Sequence, residues 1–423
     1  MSKITTLRGM NDLPPEEVRV WNLAEEAIQK VFNSYGYEEI RFPIVEKTEL
    51  FTRSNESADV VTKEMYTFED KGGDSISLRP EGTAGCVRAA IDNDLIRVDS
   101  PRLWYQGPMF RYERPQKGRS RQFQQSSAEV FGIRSAEIDA ELIILSSRIW
   151  KELGVEKKLN LEINNLGDEK TRNSYAKSLQ NYFKEFKQDL DEDSIRKLDE
   201  NPLRILDSKS ESVQSLLKDA PDISDFISKD SEKEFKELTL LLNSAVIEFT
   251  INQRLVRGLD YYNQTVYEWK TDLLGAQDTV CGGGRYDNLV EELGGKSCPA
   301  TGFSIGMERL ILLIKETLEL NVENKNIDIF FVCLSKESIQ KAIMYSESLR
   351  EKVSELGIRI NMGLEGVGSQ FKKADKSGAM FAFILGEDEL KNNTISMKDL
   401  RSKSDQETLS YKDLEKRIKE TYK

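Results

Sequence analysis

A short basic segment concentrates the side chains best suited to bind phosphate. Residues 110–125, FRYERPQKGRSRQFQQ, include Arg111, Arg114, Arg119 and Arg121, in a chain whose formal net charge is -12. A guanidinium group binds phosphate or carboxylate through two parallel hydrogen bonds. An isolated charge cluster is more often a solvated, salt-bridged loop. Strand-like runs on both sides, and a second arginine motif elsewhere, favour anion binding here.

The second motif joins an arginine to a pair of tyrosines. Residues 254–269, RLVRGLDYYNQTVYEW, contain Arg257, Gly258, Tyr261 and Tyr262. The glycine permits a tight turn or a close approach of the backbone. An arginine beside polar aromatic rings can hold an anion at one end and a polar, ring-shaped ligand at the other. A strand with a buried tyrosine explains the pattern equally well.

Two further motifs place charged side chains beside glycine. In residues 78–89, LRPEGTAGCVRA, Glu81 and Thr83 follow a predicted strand and could bind an ammonium group, although a helix N-terminus with an acidic first turn explains them as well. In residues 302–313, GFSIGMERLILL, Arg309 begins an amphipathic helix, and alone it is most simply a surface residue.

The absence of histidine from all 423 residues limits the chemistry available to the chain. It excludes Ser-His-Asp and Cys-His nucleophiles, imidazole metal ligands and an imidazole general base. Phosphate chemistry remains prominent, because it needs mostly positioning and positive charge. The scattered cysteines predict neither a disulfide framework nor a zinc site, and they fit a reducing cytoplasm. They are Cys86, Cys281, Cys298 and Cys333.

The elements that would position these motifs alternate between helix and strand. Apolar residues at helical spacing predict helices at 16–35 and 137–153. Strand-like runs flank the basic segment, which predicts an antiparallel hairpin with residues 114–121 as its long loop. Residues 37–45, YEEIRFPIV, are predicted to form a strand, with Pro43 at its edge or end. No apolar run approaches the roughly 18 residues that would cross a membrane.

Composition divides the rest of the chain. Residues 168–245, rich in Lys, Asp, Glu and Ser, predict a helical insertion, and the polar stretch 321–326 predicts a linker. The chain from Lys325 carries 18 basic and 16 acidic side chains, so it is its less acidic part and suits a polyanionic partner. Alternating elements there predict a small α/β domain with a partly parallel sheet. They are strands at 327–334, 358–362, 380–386 and 393–400, and helices at 336–356, 367–377 and 411–422.

Together these motifs resemble those of histidyl-tRNA synthetase, a class II aminoacyl-tRNA synthetase, over essentially the full chain. EEIRFPIVEKTELF resembles class II motif 1, which implies a homodimer interface. FRYERPQKGRSRQFQQ resembles motif 2 and GFSIGMERL resembles motif 3. RGLDYYNQTVYEW and GGGRYDNLV resemble the two histidine-specific signatures, which are far more discriminating.

The resemblance implies a fold, a domain division and an activity. Residues 1–320 would form an α+β catalytic domain, an antiparallel sheet flanked by helices, interrupted by the helical insertion at 168–245. Residues 327–423 would form an α/β anticodon-binding domain. The enzyme would attach L-histidine to histidine tRNA through histidyl-adenylate, with Mg²⁺ entering together with ATP, and no metal held by the protein itself is expected.

By the same resemblance, an electrostatic clamp would surround the nucleotide. Arg111 would contact the α-phosphate and the amino-acid carboxylate. Arg257 would approach the α-phosphate from the other side, where other class II enzymes often use a metal ion. Phe123 and Arg309 would sandwich the adenine. The predicted ATP-binding residues are Arg111, Glu113, Arg119, Phe123 and Arg309.

The resemblance also implies a histidine pocket and a contact with tRNA. Glu129 and Tyr262 would hydrogen-bond the imidazole, and the tRNA acceptor end would meet Arg114 and Gln116. Glu81, Thr83 and Gln125 would bind the α-amino group and carboxylate. The predicted histidine-binding residues are Glu81, Thr83, Arg111, Gln125, Glu129, Arg257, Tyr261, Tyr262 and Tyr286, with catalysis assigned to Arg257 and Arg111.

One residue departs from the family pattern. Relatives usually have Phe-His-Gln at the end of motif 2, and here Gln124 stands between Phe123 and Gln125. Successive side chains of a strand point to opposite faces, so Gln124 would face away from the ligand and activity should be kept.

Two other functions compete with this one. A catalytically silent, synthetase-like regulatory subunit of ATP phosphoribosyltransferase is the first, but such paralogues typically lack the C-terminal domain and have an eroded RGLDYY signature. This chain keeps both. A class II enzyme for another amino acid is the second, and it conflicts with Glu129 and Tyr262 in the histidine pattern.

The missing histidine itself has two open explanations. One is drift in a Lys-, Asn- and Ile-rich sequence. The other is regulatory, because an enzyme without histidine codons can still be translated when charged histidine tRNA runs out. Recoding several exposed polar positions to His, at unchanged kcat and stability, should then slow recovery from histidine starvation. Equal recovery would leave drift as the explanation.

The missing histidine also affects the expected pH dependence. Without imidazole side chains in the protein, a titration of kcat/KM near pH 6 should belong mainly to the imidazole of the substrate.

Overall fold

The sequence folds as two units, Met1–Leu320 and Asn321–Lys423, and each has a sheet of its own. A computed structural model describes residues 3–318 and 327–422, except residues 54, 56, 57, 99, 276 and 403. The linker predicted at 321–326 lies outside the described residues.

The first unit is built on an eight-stranded sheet. Its strands, with those of a smaller three-stranded sheet, are β1 (Glu38–Glu39), β2 (Val45–Lys47), β3 (Tyr66–Glu69), β4 (Ser75–Leu78), β5 (Arg102–Phe110), β6 (Gln122–Phe131), β7 (Asn160–Asn165), β8 (Thr250–Ile251), β9 (Asn263–Lys270), β10 (Thr279–Arg285) and β11 (Ala300–Gly306). The order in the large sheet is β1-β5-β6-β11-β10-β9-β7-β8, and the small sheet is β2-β4-β3. Pairing in the large sheet is antiparallel except at its edges, where β1 and β8 run parallel to their neighbours. This confirms the predicted antiparallel catalytic sheet.

Helices pack against this sheet through aromatic side chains. They are α1 (Pro15–Ser34), α2 (Thr48–Thr52), α3 (Asp59–Thr62), α4 (Thr83–Asp92), α5 (Leu95–Val98), α6 (Ala136–Glu152), α7 (Glu169–Glu185), α8 (Glu192–Glu200), α9 (Glu211–Leu217), α10 (Lys229–Ser244), α11 (Leu289–Glu292) and α12 (Met307–Thr317). Phe32 of α1 lies 5.3 Å, between ring centroids, from Trp104 of β5. Trp150 of α6 lies 6.2 Å from Trp269 of β9. The two long helices therefore cover the sheet and keep its strands in place beneath the site.

Strands β5 and β6 form the predicted antiparallel hairpin, paired from Arg102 with Val130 to Phe110 with Gln122. Its loop narrows at a tight turn, where the amides and carbonyls of Gln116 and Arg119 exchange hydrogen bonds of 3.0 and 2.9 Å. Gly118 lies inside this turn at φ 72°, a conformation that a side chain disfavours. The glycine therefore lets the basic loop fold back toward the sheet.

The single strand predicted at 37–45 is wrong. Glu38 and Glu39 join the large sheet, whereas Val45 begins a strand of the small sheet. Between them Pro43 has no N–H to donate to a ladder. The carbonyl of Phe42 accepts instead from the Arg79 side chain at 3.2 Å, so the segment crosses from one sheet to the other.

The stretch 168–245 is helical, as predicted, and contains α7 to α10 with short 3₁₀ turns, one of them Pro202–Asp207. Asp168 begins α7 by accepting a hydrogen bond from the Thr171 amide at 2.7 Å. Ser228 begins α10 in the same way, from the Ser231 amide. Tyr175, Leu179 and Phe183 form the buried stripe of α7 and continue the core of the unit.

The second unit has a five-stranded sheet with order β13-β12-β14-β15-β16. Its elements are β12 (Ile329–Cys333), α13 (Lys336–Arg350), β13 (Ile358–Ile360), α14 (Val367–Lys376), β14 (Phe381–Leu385), α15 (Glu387–Asn392), β15 (Thr394–Asp399), β16 (Glu407–Ser410) and α16 (Tyr411–Thr421). Strand β12 pairs in parallel with β13 and β14, whereas β15 pairs antiparallel with β14 and β16. This confirms the predicted partly parallel sheet.

Three details of the second unit differ from the prediction, and the first is the short helix α15, which was not predicted. The helix predicted at 336–356 ends at Arg350, where the Val353 amide turns back to the Leu349 carbonyl at 2.9 Å. Strand β16 was not predicted, because its sequence, ETLS, is short and mostly polar. It forms by pairing with β15, a tertiary contact that periodicity does not show.

Candidate active site

The basic loop, β6, β10, β11 and the start of α12 enclose a cavity of about 160 Å³. Residues from distant parts of the sequence meet at this cavity because the hairpin and β11 are neighbours in the sheet. The residues predicted from sequence that line it are Arg111, Glu113, Arg119, Phe123, Gln125, Arg257 and Arg309.

Each arginine on the cavity wall is fixed by a neighbour. Arg257 forms an ion pair with Glu268 of β9 and lies 5.6 Å from the centre of the Tyr262 ring. The Glu268 charge raises the pKa of Arg257, although burial opposes this, so the guanidinium stays charged. A Cβ at Gly282 would lie 2.4 Å from Nη2 of Arg257, so glycine leaves the space that the guanidinium occupies. Arg257 is therefore rigidly placed on one wall.

The opposing arginines belong to the hairpin. Arg111 stacks over the Phe123 ring at 5.1 Å and donates from Nε to the Pro80 carbonyl at 2.8 Å. Arg119 forms an ion pair with Glu113, which is buried. Burial lowers the pKa of Arg111, but a guanidinium remains charged at neutral pH. Three arginines thus give this cavity a positively charged lining.

Arg309 closes the cavity near the loop. Its guanidinium donates to the Gly118 carbonyl at 3.2 Å, the Thr279 carbonyl at 2.7 Å and the Gln277 side chain at 2.6 Å. Burial, followed by the charges of Arg111 and other arginines nearby, lowers its pKa to about 10. These three bonds fix the plane of the group, which suits stacking on a flat ring.

Glu129 of β6 is the centre of a buried polar cluster. Its carboxylate accepts hydrogen bonds from Thr83 Oγ1 at 2.8 Å, from the Tyr105 hydroxyl at 3.0 Å and from the Tyr286 hydroxyl. Only 1% of Glu129 is exposed, and this burial raises its pKa to about 8. A buried carboxyl surrounded by hydroxyl groups is suited to bind a polar N–H of a ligand.

Glu81 forms the wall next to this cluster. Its carboxylate accepts from the amides of Thr83 at 2.6 Å and Ala84 at 2.9 Å, the first residues of α4, and from the Tyr261 hydroxyl at 3.4 Å. The helix-terminus interpretation of this motif therefore holds in the structure. Burial raises the pKa of Glu81. Its position beside Tyr261 also keeps it within the predicted pocket.

Three tyrosine rings pack together beside this cluster. Tyr261 lies 4.8 Å from Tyr262 and 5.6 Å from Tyr286, between ring centroids. Such edge and tilted contacts are favourable and make a rigid aromatic wall. Tyr262 also lies over Arg257, so the aromatic pocket adjoins the arginine-lined cavity.

Gln125 and Gln124 have different surroundings, as strand alternation requires. Gln125 lines the cavity, and within the described part of the chain its buried Oε1 has no hydrogen-bond partner. A buried acceptor without a donor is unfavourable, so a ligand N–H would satisfy it. The backbone N–H of Gln124 donates to both carboxylate oxygens of Glu308, at 3.0 and 3.1 Å. The Gln124 side chain is not among those lining the cavity.

The two loop residues assigned to tRNA lie outside this cavity. Arg114 is exposed. Gln116 and Arg119 line a neighbouring open cleft of about 530 Å³, together with Lys209 of the insertion and Lys270 of β9. A contact between these residues and an acceptor end remains a prediction.

Sequence reasoning missed several residues that shape the pocket. Tyr105 and Glu268 lie in strand-like runs, where a polar side chain among apolar ones was a usable signal. Gly302 pairs with Glu129 across the sheet, and a Cβ there would lie 1.7 Å from Glu129 Oε2. The need for glycine at position 302 is therefore visible only once the strand register is known.

Removing the Tyr105 hydroxyl should weaken the pocket without disturbing the cavity. Tyr105→Phe leaves Glu129 two of its three hydroxyl donors, so we expect about tenfold weaker histidine binding, the effect of leaving one buried hydrogen-bonding position unsatisfied. Calorimetry should show ATP affinity unchanged. The control is Tyr182→Phe, which removes a hydroxyl bonded to the Leu216 carbonyl in the insertion. Equal losses for histidine and ATP would contradict the assignment of Tyr105.

The raised pKa of Glu129 predicts how stability depends on pH. The folded protein keeps this carboxyl protonated up to about pH 8, whereas the unfolded chain releases its proton near 4.5. The contribution of this carboxyl to the free energy of unfolding is therefore complete below pH 4.5 and is lost as pH rises to 8. Glu129→Gln removes the ionisation, so its melting temperature relative to wild type should rise by about 2–5 °C between pH 5 and pH 8. A difference independent of pH would contradict the burial argument.

An antiparallel sheet flanked by helices, with a cavity lined by arginines, is the arrangement expected of a class II aminoacyl-tRNA synthetase, and the family match reported next supports that class. Among the described residues, every helix is too short or too polar to span a membrane. The described residues also contain no group of three acidic or thiol side chains arranged to hold a metal ion.

Comparison with known proteins narrows the class. A sequence model of histidyl-tRNA synthetase matches residues 9–310, and one of an anticodon binding domain matches residues 328–421. The crystal structure of apo histidyl-tRNA synthetase from S. aureus is 34% identical, covering 99% of this chain and 100% of that one, with a TM-score of 0.82. The chain belongs to the histidyl-tRNA synthetase family.

More distant structures share the fold. Histidyl-tRNA synthetase from a Nostoc species is 24% identical over 100% of both chains, with a TM-score of 0.70. An ATP phosphoribosyltransferase regulatory subunit/histidyl-tRNA synthetase from Bacillus halodurans is 20% identical, covering 88% of this chain and 97% of that one, with a TM-score of 0.64. The fold alone therefore does not separate the catalytic from the regulatory members.

Proposed function

We propose that this protein activates L-histidine with ATP and transfers it to histidine tRNA. The observation that carries this proposal is the adjacency of two sites, an arginine-lined cavity and a buried polar cluster centred on Glu129, with Arg257 lying 5.6 Å from the centre of the Tyr262 ring between them. The first suits a nucleotide α-phosphate, and the second suits an imidazole N–H. An amino acid that reaches both sites presents its carboxylate to the phosphate.

Adenylate formation would follow from the charges on the cavity wall. A histidine carboxylate oxygen attacks the α-phosphorus of ATP, and pyrophosphate leaves. Arg111 and Arg257 stabilise the negative charge that develops on the α-phosphate oxygens, from opposite sides. Phe123 and Arg309 hold the adenine, and Mg²⁺ arrives bound to ATP as part of the substrate.

Histidine selection would depend on the buried carboxyl groups. The imidazole donates to Glu129 and meets Tyr262, while the α-ammonium group lies near Glu81, Thr83 and Gln125. An amino acid without an N–H at the imidazole position would leave Glu129 buried without that bond. The pocket therefore favours histidine by penalising its competitors.

Transfer would require the tRNA at both units. The acceptor end meets the hairpin loop through Arg114 and Gln116, and its terminal ribose hydroxyl attacks the adenylate carbonyl and releases AMP. The match to an anticodon binding domain supports a role for the second unit. In that unit Arg359, Lys373 and Lys376 line an open cleft of about 860 Å³ that suits a polyanion. We also propose a cytoplasmic homodimer that pairs through the motif 1 segment.

The runner-up is a silent regulatory subunit of ATP phosphoribosyltransferase, supported by the fold shared with the Bacillus halodurans protein. A charging assay separates the two. Purified protein, ATP, labelled histidine and histidine tRNA should yield histidyl-tRNA. A folded protein that charges no tRNA but stimulates ATP phosphoribosyltransferase would establish the alternative instead.

A further inference from the structure

The helical insertion contacts the loop that joins Arg257 to the tyrosine pair. Arg204, in the turn Pro202–Asp207, donates from Nη2 to Asp260 Oδ1 at 2.8 Å and from Nε to the same oxygen at 3.3 Å. Its Nη2 also lies 3.3 Å from the Gly258 carbonyl. One insertion arginine therefore binds both the side chain and the backbone of this loop.

Two more insertion residues reach the same loop. Asn201 donates from Nδ2 to Asp260 Oδ1 at 3.0 Å. Arg172 of α7 donates from Nη1 to the Tyr262 carbonyl at 2.7 Å and to the Asp260 carbonyl at 3.3 Å. The backbone from Gly258 to Tyr262 is thus hydrogen-bonded to two separate elements of the insertion.

These contacts are shielded from water, unlike the insertion's surface ion pairs. The side chains of Arg204 and Asp260 are 11% and 21% exposed, whereas those of Lys236 and Glu232 on α10 are 68% and 56% exposed. Exposed pairs contribute little, while charge-assisted bonds with several partners in a partly buried site fix a geometry. The Asp260 contacts therefore qualify as a structural restraint on the loop.

We propose that Asp260 is a positioning residue through which the insertion sets the geometry of the active site. It lies between Arg257, which faces the α-phosphate, and Tyr261 with Tyr262, which line the histidine pocket. Glu268 fixes the guanidinium end of Arg257. Arg204 and Arg172 fix the backbone from which Arg257 and the tyrosines project. This inference rests on the proposed function and assigns the insertion a catalytic purpose within it.

The test compares adenylation rates with binding affinities. Asp260→Asn and Arg204→Met remove the charge pair with little change in shape, and the double variant removes both partners. A misplaced stabilising group can lower a rate by about 10–100-fold, so we expect each single variant to lose that much in single-turnover adenylate formation. Histidine and ATP dissociation constants should stay within about threefold. Arg204→Lys should recover part of the rate, because it restores the positive charge.

Two comparisons make the result specific. Lys236→Met breaks an exposed ion pair of the same insertion and should leave the rate unchanged. The double variant should lose clearly less than the product of the two single losses, because both changes break the same Arg204–Asp260 ion pair. Single-variant rates within twofold of wild type, or a double variant whose loss is the product of the two, would overturn the proposal. If wild type forms no adenylate, the proposed function fails instead.

Discussion

Replacing Arg257 with alanine should lower the rate of histidyl-adenylate formation by about 10²–10³, the usual effect of losing one electrostatic stabiliser of a transition state. Arg257 is held by Glu268 at the cavity wall, so its charge is in place before the reaction begins. Histidine affinity, measured by calorimetry, should change much less. The loss therefore belongs to the rate of the chemical step.

The control for this variant is Arg254→Ala, three residues earlier in the same segment. Arg254 lies 4.0 Å from Asp222 of the insertion and is not among the residues lining the cavity. It should keep the wild-type rate. An Arg257→Ala protein that forms adenylate at near wild-type speed in single turnover would remove Arg257 from the mechanism.

Replacing Glu129 with alanine should raise the KM for histidine by about 10–100-fold and leave that for ATP nearly unchanged. The carboxyl group is the common partner of three hydroxyl groups in the pocket, and its removal leaves these buried groups without that hydrogen bond. In the proposed function ATP binds in the adjoining cavity, whose lining does not include Glu129. The two substrates should therefore respond differently.

Glu162→Ala is the matched control for this second variant. Glu162 lies on β7 of the same sheet, where it pairs with Lys270 at 2.9 Å, and it is not among the residues lining the cavity. Its removal should leave both KM values near those of wild type. If Glu129→Ala raised the two KM values equally, the histidine pocket would be assigned to the wrong residues.

The buried carboxyl groups change one expectation drawn from the missing histidine. Burial raises the pKa of Asp139 to about 6, of Glu308 to about 7 and of Glu129 to about 8. A titration of kcat/KM near neutral pH therefore cannot be assigned to the substrate imidazole from the sequence alone. Glu129→Gln and Glu308→Gln profiles would separate these carboxyls from the substrate.

Local patterns were sufficient for much of the fold. The hairpin of β5 and β6 has strand-like runs on both sides of a polar, glycine-containing loop, so it could be predicted from its local sequence alone. Long helices such as α1 and α6 bury one face at regular spacing. The single strand predicted around Pro43 was wrong because this segment contributes two short strands to different sheets. Tertiary pairing decides which sheet each of these strands joins.

The site was predictable only in part, for a related reason. Arg257 and Arg111 stand in recognisable motifs, whereas Tyr105 and Gly302 act through their register opposite Ser127 and Glu129. Asp260 was part of a recognised motif, but its partners come from an insertion more than 50 residues away. Motifs therefore predicted groups that line the cavity, and the structure added those that hold them in place.

The most direct test of the account is ATP–pyrophosphate exchange with a panel of amino acids. Exchange requires only ATP, Mg²⁺ and the amino acid, so it isolates adenylate formation from any contribution of tRNA. Histidine should support rapid exchange, and the other amino acids should support little or none. A folded protein that exchanges with none of them, or that prefers a different amino acid to histidine, would contradict the account.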